Sequence, residues 1–559
     1  MTEKKDVLEE AFLKAIGKKN KGAVSAVIFD NEKILRSFYD GFISKEKKLP
    51  PRQDSLFMIG SNTKVFTSLG IFRLLEDGKL KLEDPITDYI PEFSVKSRIG
   101  EYPVTIENLL MHRGGIQCDL YRFFVDENSS YEEVAEGLKD TYRTSVPGEM
   151  FAYSNLGYSL LGIIEERISG KPYVEFLKEV LFDPLGMEVY YAVEKQLPES
   201  LADRVAHCYD KKGKRCEDLA GKMYPAGSCT YTTAESLAKV GMLLMNDGEC
   251  NGVRLYNKET MEKMKSLKIN DELDEMLVCV GYGLFHHSLD LDYQTGRILG
   301  HGGNTMYHHS FFNFLEEEKI GVIVYTNFEA GARLSREIGI ALFNACLKEN
   351  GFAEKEKAEK KYVPFDPKEY EGRYDGLPSP IEFTVDAKGR LCTTLQKVPF
   401  ILKKDEEGWL CAEPGALWSK LPPIAKKLKG IRFLEASYFG NDVLISEQKG
   451  IKAVTGEKYV TPNINVAWLK AMGDYSCEDK HFEDLIEKAT LQLKEGEPVL
   501  TIIEEGQKTD CYLDVINETE AVVKGYGRNA KQTVVLNKDN GRYLIDIDGV
   551  RLKGKKSLR

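Results

Sequence analysis

The chain has 559 residues, 42% of them hydrophobic and 30% charged, with a formal net charge of -11. That length exceeds what a single hydrophobic core organises, so several domains are expected, and no apolar run is long enough for a membrane span. The acidic balance, without a basic stripe interleaved with aromatics, excludes nucleic acid as an expected partner, and the lack of a span-like run excludes the membrane.

The opening "MTEKKDVLEEAFLKAIGKKNKG" reads as a short amphipathic helix without the apolar core and small-residue cleavage site of a secretory signal, so a cytoplasmic protein is expected. The eleven cysteines are scattered without a C-x-x-C pair, and the eight histidines lack carboxylates or thiols at ligand spacing. Neither a disulfide framework nor a metal or cofactor is expected.

Residues 23–29 and 33–39 then predict a hairpin of apolar strands. Helical periods follow at 61–76, 153–168, 174–182 and 233–246, each stopped by Asp-Gly, Ser-Gly or Asp-Pro. Strands return at 309–315 and 320–327, and a helix at 330–348 closes this part. The expected fold class is α/β, with one antiparallel sheet completed from both ends of this region, flanked by helices and an all-helical subdomain. A cleft between those layers is the natural site.

The charged run "EKEKAEKK" with Pro364 and Pro367 marks a linker, and beyond it short alternating strands punctuated by Gly, Asn and Asp read as two small antiparallel β-barrels. Gly372-x-Tyr374 recurs as Gly473-x-Tyr475 near the start of each. The domains expected are 1–352, a linker at 353–366, and barrels at 367–460 and 461–559.

The chemistry starts from "SNTK". Serine is a weak nucleophile that needs a base within hydrogen-bond reach, and lysine serves when burial or neighbours suppress its charge. Ser61 and Lys64, at i and i+3 of a helix start, share one face, and Ser61 is also suited to cap that helix. Alone the pattern says little, because Ser44/Lys47, Ser236/Lys239 and Ser446/Lys449 repeat it. Two further motifs shift the balance: Tyr153-x-Asn155 at a helix start after Pro147-Gly148, and His301-x-Gly303 just before a strand, where glycines let a substrate backbone approach.

With these in order, residues 20–350 resemble the class C serine β-lactamase and penicillin-binding-protein superfamily. The segments "LFMIGSNTKVFTSLGIFRLLEDGKLKLEDPITDYIPEF", "TIENLLMHRGGI", "PGEMFAYSNLGYSLLGIIEE", "VLFDPLGM" and "PAGSCTYTTAESLAKVGMLLMNDG" carry the likeness. The resemblance implies acyl transfer, with Ser61 as nucleophile and Lys64 and Tyr153 sharing the proton work, either being the base. It implies that Asn155 contacts the substrate or orients Lys64, and that the amides of Ser61 and Asn304 form the oxyanion hole beside His301 and Gly303. By the same resemblance His112 is a structural loop residue outside the site.

The layout of two barrels is similar to that of D-aminopeptidases with C-terminal lipocalin-like barrels. Where β-lactamases and carboxypeptidases of the superfamily carry K-T-G, this chain has His301, whose imidazole is mostly neutral at pH 7 and attracts a carboxylate weakly. The family usually has a Gly at or beside Tyr307, so a changed turn that narrows the pocket is expected there. The resemblance implies a serine hydrolase cleaving amide bonds of short peptides or D-amino-acid derivatives; an esterase or β-lactamase-like enzyme and a non-catalytic ligand- or partner-binding protein are the alternatives. The partner implied is a small-molecule or short-peptide substrate, and a homo-oligomer is left open.

Overall fold

The computed structural model describes residues 6–120, 131–191, 196–217, 230–270, 273–277, 280–356, 360–414, 428, 430–478, 486–504, 507–547 and 549–554. Pro225 to Cys229 of the sequence landmarks and residues 357–359 of the linker lie outside them. The first domain is built on a six-stranded antiparallel sheet of β1 (Ala23–Phe29), β2 (Ile34–Gly41), β3 (Phe285–His286), β4 (Ile298–Asn304), β5 (His309–Leu315) and β6 (Ile320–Thr326). Its order is β3-β4-β5-β6-β1-β2, so the two ends of the domain meet where β1 pairs β6, Val24 opposite Thr326.

The residues of β1, β5 and β6 are buried along their whole length, which requires cover on both faces of the sheet. Val24, Ala26 and Ile28 face a layer formed by α1 (Val7–Ile16) and α5 (Gly331–Glu349), where Phe12, Ile338 and Leu342 meet them. The alternate residues Ala23, Val27 and Phe29 face the larger core of α2 (Thr63–Glu76), α3 (Asn155–Ser169) and α4 (Ala234–Met245). Ser154 and Thr233 cap α3 and α4 by accepting the amides of Gly157 and Ser236, and Gly170 ends α3 in the left-handed conformation.

The helix expected at 174–182 is broken. It runs as Tyr173–Leu177, widens into a π-helical turn at Lys178–Phe182 and restarts as Asp183–Leu185. Pro184 has no N–H to continue an i→i−4 ladder, and the Asp183 amide reaches back to Lys178 instead. Among the described residues no helix is long and apolar enough to cross a membrane.

Beyond the linker stand two closed eight-stranded barrels, from Gly372–Asp375 to Ile451–Lys458 and from Gly473–Cys477 to Val550–Gly554. The repeated G-x-Y occupies equivalent places: Tyr374 and Tyr475 lie on the first strand of each barrel, paired both to the second strand and to the closing one.

Buried polar contacts dock the barrels on the first domain. Arg113, with its side chain 2% exposed, forks onto the fully buried Asp274 at 2.8 and 3.0 Å, and the Tyr438 hydroxyl of the first barrel donates to the same carboxylate at 2.5 Å. Arg113→Ala strands that carboxylate and is expected to cost about 3–5 kcal/mol, read as an earlier urea midpoint for the first domain. Tyr438→Phe keeps the pair and costs about 1.5–3 kcal/mol, the value of a hydrogen bond to a charged group.

Candidate active site

Gly60, at φ 54°, turns the chain from the short strand Phe57–Met58 into a 3₁₀ turn, Gly60–Asn62, that runs directly into α2. Neither the turn nor α2 has a side-chain cap, so Ser61 does not cap the helix. The turn extends the helix backwards, and the Thr63 amide finds the Gly60 carbonyl without help from a hydroxyl.

The Ser61 hydroxyl instead receives Lys64 Nζ at 3.3 Å, while the same nitrogen donates to Asn155 Oδ1 at 2.6 Å. Lys64 has no exposed surface and lies over the Tyr153 and Tyr158 rings, 4.8 and 5.5 Å from their centres. Burial pushes its amine well below the ordinary lysine range; the charge of Arg528 adds to this and Asp119 opposes it. A helix lysine whose burial disfavours the charged form, and whose amine lies within reach of a hydroxyl, has the properties a general base needs. Burial raises the Tyr153 phenol well above its ordinary value, with the Ser61 hydroxyl beside it as the first opposing influence.

The other S-x-x-K matches have different fates. Lys47 pairs with Asp203 at the surface, Ser236 Oγ accepts the Glu188 amide, and Ser446 lies in a strand of the first barrel.

His301-Gly302-Gly303 does not precede a strand; it forms the inner part of β4, paired with Phe312, Phe311 and Ser310 of β5. Residues poor in β-forming side chains sit here because the strand must lie close to the serine turn. A Cβ on Gly303 would come within 1.8 Å of the Ile59 carbonyl oxygen, and one on Gly60 within 2.9 Å of the Asn304 amide nitrogen. The two glycines thus let the Asn304 amide lie beside the Ser61 turn. The Asn304 side chain meets His309 Nδ1 at 2.9 Å, so it is the backbone that faces the site. At the tip of this hairpin the Thr305 hydroxyl accepts the amides of Tyr307 and His308 at 3.3 and 2.9 Å.

His301 is buried against the edge of Phe285, 4.9 Å between ring centres, and 6.2 Å from the Tyr153 ring. Burial and then the nearby Lys64 charge lower its pKa to about 3, so it is neutral throughout the physiological range.

Three further residues join this cluster. His112, left out of the site on the resemblance, lies 4.3 Å from the Tyr153 ring and accepts the Ser154 amide on Nδ1 at 3.0 Å, fixing the tyrosine from behind. Asp119 accepts the Asn155 amide at 2.8 Å, and Arg528 of the second barrel donates to Asp119 at 2.6 Å. No spacing in the chain signals Asp119 or Arg528, which are brought together across 409 positions.

Gly303→Ala must displace β4 from the serine turn and is expected to slow acylation of Ser61 by about 10²–10³-fold, the value of one oxyanion donor, measured with a fluorescent fluorophosphonate. His301 is expected to show no titration of its ring-proton NMR signals between pH 5 and 8, since its pKa of about 3 leaves it neutral above that value.

Residues 9–345 match the family model described as Beta-lactamase. Penicillin-binding protein 4* of Bacillus subtilis (strain 168) is 28% identical over 245 residues, 43% of this chain and 50% of that protein. Protein flp of Staphylococcus aureus (strain MW2) is 29% identical over 166 residues, 29% of this chain and 33% of that protein. The alignments thus span half or less of the length of these curated relatives. Among solved structures, the octameric penicillin-binding protein homologue from Pyrococcus abyssi covers 98% of this chain and 99% of its own, at 22% identity and a TM-score of 0.50. SurE, crystallised with D-Leu, covers 80% of this chain and 99% of its own, at 20% identity and a TM-score of 0.57. At such identities the likeness is one of fold.

Proposed function

The chain belongs to the beta-lactamase family through residues 9–345, and from that premise we propose that it is a serine hydrolase that cleaves amide bonds of short peptides or D-amino-acid derivatives through an acyl-enzyme. The observation that carries the reading is Lys64 Nζ, fully buried and held between Ser61 Oγ at 3.3 Å and Asn155 Oδ1 at 2.6 Å.

In this mechanism neutral Lys64 takes the hydroxyl proton as Ser61 Oγ attacks the substrate carbonyl carbon. The amides of Ser61 and Asn304 receive the oxyanion. Tyr153, whose raised pKa keeps the phenol protonated, donates toward the departing amine and recovers its proton by way of Lys64. Water, deprotonated by the same groups, then attacks the ester carbon, the bond between the acyl carbon and Ser61 Oγ breaks as the proton taken from water passes to Oγ, and the acid product leaves.

Support for the substrate class comes from His301. A neutral imidazole stands where the superfamily's carboxylate-recognising enzymes carry a lysine, so a leaving group with a free carboxylate finds no fixed charge there.

A panel of D- and L-amino-acid p-nitroanilides, p-nitrophenyl esters and nitrocefin tests the reading beside Ser61→Ala. Amide turnover that falls by about three orders of magnitude or more in Ser61→Ala is expected. Full activity in that variant, or a wild type acylated by no substrate or fluorescent penicillin, sinks the catalytic reading; nitrocefin turnover without amide cleavage sinks the substrate class.

A further inference from the structure

The second barrel does more than stand beside the first domain. Its strands Glu520–Val523 and Thr533–Asp539 are joined by a loop that leaves the barrel, and the first domain holds Thr533 where the loop returns and Glu520 at the far end of the strand before it. Arg98 of the first domain donates to Glu520 Oε2 at 3.2 Å and to Thr533 Oγ1 at 2.9 Å, and the Tyr142 hydroxyl donates to Glu520. Lys531, on the loop itself, pairs with Glu457 of the first barrel. The tip carries Arg528, which lies beside a cavity of about 360 Å³ whose walls include Met111 and Phe151 of the first domain, Tyr438 and Val454 of the first barrel, and Tyr526 of the second.

From that tip a line of hydrogen bonds runs to the nucleophile. Arg528 Nη2 donates to Asp119 Oδ2 at 2.6 Å, Asn155 Nδ2 donates to Asp119 Oδ1 at 2.8 Å, Lys64 Nζ donates to Asn155 Oδ1 at 2.6 Å, and Lys64 reaches Ser61 Oγ at 3.3 Å. The guanidinium carbon also lies 5.6 Å from the centre of the Tyr153 ring. Asp119 is held at this end because the carbonyls of the two residues before it, Gln117 and Cys118, accept from Ser154 Oγ, and that of Cys118 also from the Leu156 amide, at the start of α3.

The consequence is electrostatic. An aspartate that draws on the Asn155 amide makes its oxygen a better acceptor, and this together with its own charge favours an ammonium form of Lys64. Among the described residues, uncharged groups facing Lys64 are Ser61 on its own turn, the phenols of Tyr153 and Tyr158 from α3 and its approach, and the imidazoles of His112 and His301, both pushed by burial below their usual range. Among the described residues, Asp119 and Arg528 are charges that act on it, in opposite senses.

We propose that Arg528 is a positioning residue of the hydrolytic site supplied by the second barrel: by pairing with Asp119 it offsets the carboxylate that, through Asn155, favours a charged Lys64, and so keeps Lys64 available as base. The inference rests on the reading of Lys64 as general base. It gives the barrel a chemical task, since a first domain without its docked barrel holds Asp119 unopposed.

The test is the pH dependence of Ser61 acylation by a p-nitrophenyl ester or fluorophosphonate in the full-length protein. A base acts only when deprotonated, so a higher Lys64 pKa moves the acid limb to higher pH. Arg528→Gln is expected to move it up by about one pH unit, the low end of the effect of a nearby charge because the guanidinium is 45% exposed and partly screened. Arg528→Lys is expected to keep the wild-type limb, and Asp119→Asn added to Arg528→Gln to bring the limb back.

A loss of rate by one factor at every pH, with the limb unmoved, overturns the proposal and reduces Arg528 to a docking contact, while leaving the Ser61 reading intact. So does a limb shift that Asp119→Asn fails to reverse. A wild type that is not acylated at any pH overturns both readings, and is recognised before any variant is compared.

Discussion

A lysine amine shut away from water is the constraint around which this molecule is organised. Lys64 projects from a helix that is buried without interruption from Thr63 to Phe72, and such a helix belongs at the centre of a core. Desolvation disfavours the charged amine, and among the described residues it meets polar but neutral groups, including a serine hydroxyl, an amide oxygen and two phenol faces. The surrounding elements follow from that position. The start of α3 supplies Tyr153 and Asn155, β4 closes from the other side, and the covered sheet behind them keeps water out.

The approach of β4 is set by backbone and not by side chains. Gly303 and Gly60 sit where a methyl group would strike the Ile59 carbonyl or the Asn304 amide, so the serine turn and the strand lie nearly in backbone contact. An amide held in this way needs no reorganisation to meet developing negative charge, the source of much catalytic stabilisation in preorganised sites. His301 and His112 serve the same rigidity. Both are neutral, and both pack against Tyr153.

Charges are used where domains meet. Arg113 with Asp274 and Tyr438, Arg98 and Tyr142 with Glu520, and Lys524 with Asp375 and Glu497 each join two domains through groups that separation would leave partly unpaired. Such contacts contribute orientation more than raw stability, because desolvation consumes much of their Coulombic gain. Their common result is a fixed placement of the second barrel, whose Arg528 ends at Asp119.

Most elements were legible in the chain because their causes are local. The β1/β2 hairpin, α3 with its Ser154 cap and terminal Gly170, and the paired G-x-Y strands of the barrels follow from apolar periods and from the residues that stop them. Local signals misled where tertiary demands outweighed propensity. A glycine-rich stretch reads as loop, yet His301-Gly302-Gly303 is paired strand, and a continuous period at 174–182 hides a widened turn forced by Pro184. By itself the sequence determined most of the order of secondary elements, the family likeness and a short list of candidate residues, since each depends on neighbours a few positions apart. Only the tertiary structure decided that Lys64 has no exposed surface, that His112 stands behind Tyr153, and that Asp119 and Arg528 meet, because burial and electrostatic coupling are set by distance in space and leave no spacing in the chain to read.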